Sequence, residues 1–153
     1  MIIENSSKAI IIRDSKILLL KNRDQYGIGE WYCLPGGRQK SGESIVSALQ
    51  RECIEEISVK PEVLALKFIR EYIHSNHKFS EIGNKVHKVE FMFLCNIDKN
   101  SIPQIGISPD KSQESIEWVN LSKVKNLNIF PSKLNEIEEL LNLRGPIYWG
   151  DIL

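Results

Sequence analysis

The sequence predicts an α+β domain in which helices cover both faces of a mixed β-sheet. Three observations lead there. Residues 44–57 hold no Gly or Pro and place Ile45, Leu49, Cys53 and Ile57 at helical spacing. Residues 63–73 and 86–97 are rich in branched and aromatic residues. Residues 132–143 repeat the helical spacing, so strands stand before, between and after two helices, an order that packs as helices on a sheet.

Taken in order, residues 9–12 and 16–20 are short branched apolar runs split by Arg13-Asp14-Ser15, which reads as a hairpin. Residues 27–37 carry four glycines and Pro35, so regular structure is expected to break there. The helix over 44–57 follows. Of the next two strands, the second alternates Val89, Phe91, Phe93, Cys95 and Ile97 on one face. The polar stretch 75–85 between them, with Asn76, Gly83 and Asn84, reads as a loop. Residues 115–119 form a further short strand, and the terminal helix over 132–143 turns Leu134, Ile137, Leu140 and Leu141 inward.

At 153 residues the chain is the length of one domain, taken here as 1–153. Twenty basic and twenty acidic residues cancel, so no global field favours duplex nucleic acid, whereas a small phosphorylated ligand needs only local charge. No apolar run approaches the roughly 20 residues of a membrane span, and the N-terminus lacks the pattern of a secretory signal. Three scattered cysteines argue against a disulfide framework and fit reduced thiols, so the expected compartment is the cytoplasm.

The chemistry concentrates in residues 37–59. At about 100° per residue, with Leu49 at zero, Ile45, Val46, Cys53 and Ile57 lie roughly between −40° and +80°, Glu52 near −60°, Glu56 near −20° and Glu55 near −120°. Glu56 therefore falls inside the apolar stripe and Glu52 at its edge. Acids on a helix usually form a solvated face, but an ionised carboxylate among apolar residues demands a partner or a metal. Hard divalent cations take oxygen ligands, and two carboxylates one helical turn apart can share one. Leu34-Pro35-Gly36-Gly37 precedes the helix, and its glycines let the backbone approach a ligand closely.

This segment closely resembles the signature of the Nudix hydrolases, G-x5-E-x7-R-E-U-x-E-E-x-G-U with U apolar. Gly37, Glu43, Arg51, Glu52, Glu55, Glu56 and Val59 occupy its fixed positions, Cys53 stands at an apolar one, and Ser58 replaces the usual glycine. The resemblance implies a Nudix fold, a three-layer α/β/α sandwich around a mixed sheet. It further implies a MutT-like pyrophosphohydrolase that acts on a nucleoside diphosphate-linked substrate such as ADP-ribose, a nucleotide sugar or a nucleoside triphosphate. In that reading Gly36, Glu52, Glu55 and Glu56 hold Mg²⁺ or Mn²⁺, and Arg51 orients the carboxylates.

Glu52 is the leading general base. Glu114, four residues before Trp118, stands where many relatives carry a further acid near the metals; it is the alternative base and an expected metal neighbour, against a bland reading as surface. Glu43 is read equally as a helix-terminus acid or a metal contact. His74, His77 and His87 bracket one loop without zinc-like spacing and read as loop histidines, with contact to a substrate phosphate the next reading. Trp31, Tyr32, Tyr72, Tyr148 and Trp149 are more readily core than base-stacking residues. The expected partner is a small nucleotide, without membrane, and a homodimer is compatible with the sequence. The alternatives are a catalytically silent nucleotide sensor, which the complete set of acids disfavours, and RNA-end processing, which would want a basic channel.

Overall fold

The computed structural model describes residues 2–23, 29–78, 80–81 and 85–153. Gly27 of the glycine-rich stretch, and Gly83 and Asn84 of the expected loop, lie outside them. The predicted hairpin is formed by β1 (Ile3–Arg13) and β2 (Lys16–Arg23). Asp14 and Ser15 join them with φ of 51° and 60°, the two left-handed residues of a tight hairpin turn.

The further strands are β3 (Glu30–Cys33), β4 (Gly36–Arg38), β5 (Glu62–Ile73), β6 (His87–Asn96), β7 (Gln113–Asn120), β8 (Ile129–Phe130) and β9 (Ile147–Asp151). The described residues build one mixed sheet in the order β8-β3-β2-β1-β6-β5-β9, with β4 paired to β1 and β7 to β2. β1 runs parallel to β6 and antiparallel to β4, so it carries the sheet's central junction.

The consecutive apolar runs of β1 and β2 follow from burial on both faces. On one face Ala9, Ile11, Leu18 and Leu20 pack with Phe93 and Cys95 against Leu49, Cys53 and Ile57 of the long helix α1 (Ile45–Ile57). On the other, Ile10, Ile17, Leu19, Phe68 and Met92 meet Val124, Leu134, Ile137 and Leu140. Two cores on opposite faces of one sheet make the three layers. Among the described residues no helix is long and apolar enough to cross a membrane.

Two local expectations need correction. The break expected over 27–37 contains β3 and β4. Trp31, Tyr32 and Cys33 favour a strand and pair with β2, while the glycines of β4 are what allow it to pair. A Cβ on Gly36, whose φ is +131°, would lie 2.1 Å from the Ser7 carbonyl oxygen. The terminal helix over 132–143 is a 3₁₀ turn over Ser132–Glu136 followed by the single α-turn α2 (Ile137–Leu140). Its apolar residues point inward as expected. Asn135 donates to the carbonyls of Val124 and Leu127 at 2.8 and 3.0 Å, tying the segment to the preceding 3₁₀ turn. No side chain caps α2.

α1 is set by its ends. Ser44 caps it, its Oγ accepting from the Ser47 amide at 3.0 Å. At the other end the chain from 104 to 108 returns, and the amides of Gln104, Gly106 and Ser108 donate to the carbonyls of Ile57, Glu56 and Glu55 at 3.0 to 3.1 Å. These bonds satisfy helix carbonyls that would otherwise lack partners. Ser58 ends the helix at φ 59° and donates its amide to Ile54. Since a side chain in this conformation costs roughly 1 to 2 kcal/mol, Ser58→Gly is expected to stabilise the fold by about 1 kcal/mol. A rise in the denaturation midpoint checks it, and an unchanged or lower midpoint counts against it.

Candidate active site

Pairing of β4 with β1, and packing of α1 beside it, bring the glycine pair to the helix acids. The Gly36 amide donates to Glu56 Oε2 at 2.8 Å, while its carbonyl accepts from Lys8 Nζ at 2.9 Å. Ser6 Oγ donates to the Gly37 carbonyl at 3.1 Å. A Cβ on Gly37 would lie 2.5 Å from the Glu52 carboxyl carbon, so only glycine leaves that carboxylate its place. Beside them lies a cleft of about 290 Å³ whose lining includes Ser6, Lys8, Gly36, Gly37, Glu52, Lys88 and Asp110.

Glu56 is 2% exposed. Burial pushes its pKa up to about 7, against the pull of Lys8 and the Gly36 amide, and the charges of Asp110 and Glu52 add to the rise. Burial also works against the charge of half-buried Lys8, yet Cys33, Glu90, Glu56 and Asp110 together hold its pKa above the ordinary value.

Arg51 gathers the remaining acids. Its Nε and Nη2 grip Glu43 at 2.5 and 3.0 Å, its Nη1 donates to Glu52 at 2.8 Å and to Glu55 at 3.3 Å, and Nη2 also donates to the Arg38 carbonyl at 2.9 Å. Hydrogen bonds from Arg51, then from the Lys40 amide, lower the Glu43 pKa to about 2. Glu43 precedes the Ser44 cap and so stands outside the helix, where it anchors Arg51. Glu52 and Glu55 are partly exposed, as their angles anticipated.

Glu114 is placed differently. Its ion-pair partners are Arg23 at 3.6 Å and Lys21 at 4.0 Å, and it is not among the residues lining the cleft. From this part of the chain it is Asp110 that joins Glu52 and Glu4 at the cleft, carried there by the segment that closes the end of α1. The histidines contact β5 and β9 away from the cleft: His77 Nε2 pairs with Asp151 of β9 at 2.7 Å, His74 meets the Tyr72 hydroxyl of β5 at 3.2 Å, and His87 lies 3.9 Å from Glu71 of β5. Of the aromatics, Trp149 stacks on Phe68, Tyr72 on His77, Trp31 packs edge-on to Phe130, and Tyr32 bonds Glu117. Tyr148 is exposed.

Among the described residues no three His, Cys, Asp or Glu side chains converge on one point ready to hold a metal. The acids are divided between Arg51 and the Gly36 amide. The donor chemistry nonetheless fits a hard cation: the Gly36 carbonyl, Glu52 and Glu56 offer only oxygen, and the Gly36 carbonyl already accepts from a cation, Lys8. Lys8, Lys88 and Asp110 went unseen in the sequence. A signal existed for the lysines, since Ser6-Lys8-Ile10 and Lys88-Glu90-Met92 put a cation in line with a core stripe.

A family model for the NUDIX domain matches residues 5–140. The chain is 27% identical over 121 residues to putative nudix hydrolase 1 of Caenorhabditis elegans, covering 76% of this chain and 29% of that protein. It is 28% identical over 110 residues to the 8-oxo-dGDP phosphatase NUDT18 of Danio rerio, covering 71% and 30%. It thus spans about 30% of the length of the curated relatives it matches. A solved MutT NUDIX hydrolase from Burkholderia pseudomallei superposes with a TM-score of 0.63 at 26% identity, over 79% of this chain and 85% of that one. With the signature residues gathered around Arg51 and Gly36, and the match running over nearly the whole length, the chain belongs to the Nudix hydrolase family.

Proposed function

We propose that the domain hydrolyses a phosphoanhydride bond in a nucleoside diphosphate-linked substrate, with Mg²⁺ or Mn²⁺ held by the Gly36 carbonyl and the carboxylates of Glu52, Glu55 and Glu56. The observation that carries this reading is Glu56: a buried carboxylate that is not among the acids Arg51 bonds, set on the Gly36 amide. Such a group is costly to ionise, and the pull of Lys8 does not offset its burial. A divalent ion there would neutralise charge on the phosphoryl oxygens and acidify water. Arg51 keeps Glu52 and Glu55 oriented, and Gly37 leaves room for the Glu52 carboxylate. Water oxygen bonds to phosphorus, the bridging P–O bond breaks, and Glu52 takes the water proton, leaving two phosphorylated products. Glu114, held by Arg23, remains the alternative base. The substrate range spans ADP-ribose, nucleotide sugars and nucleoside triphosphates, and the free thiols suit a reducing compartment such as the cytoplasm.

A panel of these nucleotides with Mg²⁺, Mn²⁺ or EDTA tests the proposal. Turnover is expected with either metal and none in EDTA, and the metal should raise the melting temperature by binding the folded state. Full turnover after exhaustive chelation would sink the mechanism. Nucleotide binding without turnover on any substrate would favour the sensor.

A further inference from the structure

The sheet face beyond the helix acids changes character at one level on three neighbouring strands. Register places Glu4, Lys88 and Tyr72 in one row across β1, β6 and β5, and Ser6, Glu90 and Arg70 in the next. Lys8 comes next on β1, in line with Met92 and Phe68, and from there the face is apolar core. Glu4, Ser6 and Lys88 of these rows, with Lys8, line the cleft that Glu52 and Gly37 border.

The acids on this floor are already committed. Glu90 is ion-paired with Arg70, whose Nη1 also donates to the Ile152 carbonyl at 2.7 Å. Glu4 accepts from Arg38 Nη1 at 2.9 Å. Lys88, by contrast, has neither a hydrogen-bond nor an ion-pair partner among the described residues. Burial, then the like charge of Lys8, lower its pKa despite the longer-range pull of Glu90 and Glu4. A half-buried ammonium facing a cleft, beside a second ammonium and with Glu4 and Glu90 engaged elsewhere, has no directly paired anion among the described residues.

We infer that this polar end of the sheet face binds an anionic phosphate group of the substrate, with Lys88 and Lys8 as its ligands. The inference rests on the hydrolase reading and deepens it: the phosphoanhydride spans the cleft, one phosphorus at Glu52 and Glu56 and a neighbouring phosphate over the lysines. It selects substrates that present a second negative phosphate there. Lys88 is a binding residue and takes no part in proton transfer.

The test is calorimetric titration of methylenediphosphonate, whose P–C–P bridge resists hydrolysis, in Mg²⁺ and separately in EDTA. Parent, Lys88→Met, Lys88→Arg and Lys16→Met proteins are compared, Lys16 being an exposed residue at the hairpin turn. A charge-assisted contact to phosphate predicts binding weakened about 10- to 100-fold in Lys88→Met, largely restored in Lys88→Arg and unchanged in Lys16→Met. The affinity of the parent should also fall more steeply with salt than that of Lys88→Met. Equal affinity in parent and Lys88→Met, or a parent that binds the diphosphonate in neither buffer, overturns the inference. The melting shift caused by Mg²⁺ alone separates it from the hydrolase reading. A parent with no such shift speaks against the metal site, while the EDTA titration still decides on Lys88.

Discussion

Glu52→Gln and Glu56→Gln should each lower turnover by about 10² to 10³, whereas Glu138→Gln should leave it near the parental rate. Each of the first two keeps the side-chain volume and removes one charged oxygen donor. Losing about 3 to 4 kcal/mol of transition-state stabilisation gives a rate loss of that size. Folding should survive in both. A glutamine at 52 can still accept from Arg51, which keeps its grip on Glu43. A glutamine at 56 can still accept from the Gly36 amide. Glu138 lies exposed on α2, so it controls for the loss of one surface charge. If all three variants keep parental turnover and the same metal-induced melting shift, the reacting centre lies elsewhere despite the signature.

The parts of this molecule that were legible in the sequence are those whose cause is local. The helix over 44–57 shows because its period and its freedom from Gly and Pro both act within one segment. Its angular reading also anticipated the burial of Glu56, since a 3.6-residue period fixes which side chains share the stripe. The strands over 63–73 and 86–97 came within a residue of β5 and β6. What stayed hidden depends on remote pairing. β4 exists because two glycines fit under Ser7 and Lys8, about 30 residues earlier in the chain. β8 and β9 are short, and each is completed by a parallel partner far away in sequence. The same limit applies to the site. The signature supplied Arg51 and its acids, but Asp110 reaches the cleft only because residues 104–108 bond back to the end of α1. For Glu114, sequence distance from Trp118 could not report that Arg23 and Lys21 stand beside it.

Metal-free stability should fall as pH rises from about 4.5 to 7, and Glu56→Gln should remove that part of the slope. In the unfolded chain Glu56 titrates near its ordinary value of 4.5, and in the folded protein near 7, chiefly through burial. The folded state therefore holds the proton more tightly, and a raised acid pKa stabilises the protein only while the group stays protonated. At 1.36 kcal/mol per pH unit, the cost of ionising Glu56 in place reaches about 3 kcal/mol above pH 7. The parent and Glu56→Gln should accordingly match near pH 4.5 in EDTA, and the variant should be the more stable by up to that amount at pH 8. Glu43, with its pKa lowered to about 2, contributes stability in the opposite sense, lost as pH falls below 4.5. It is present in both proteins, so the difference between their denaturation curves isolates Glu56. Mg²⁺ at pH 8 should then stabilise the parent more than the variant, because the charge that burial penalises is the charge a cation would use. Parallel stability curves for the two proteins across pH 4.5 to 8 would mean that the Glu56 carboxylate is solvated or already neutralised by Lys8, and the strongest argument for a cation beside Gly36 would fall with it.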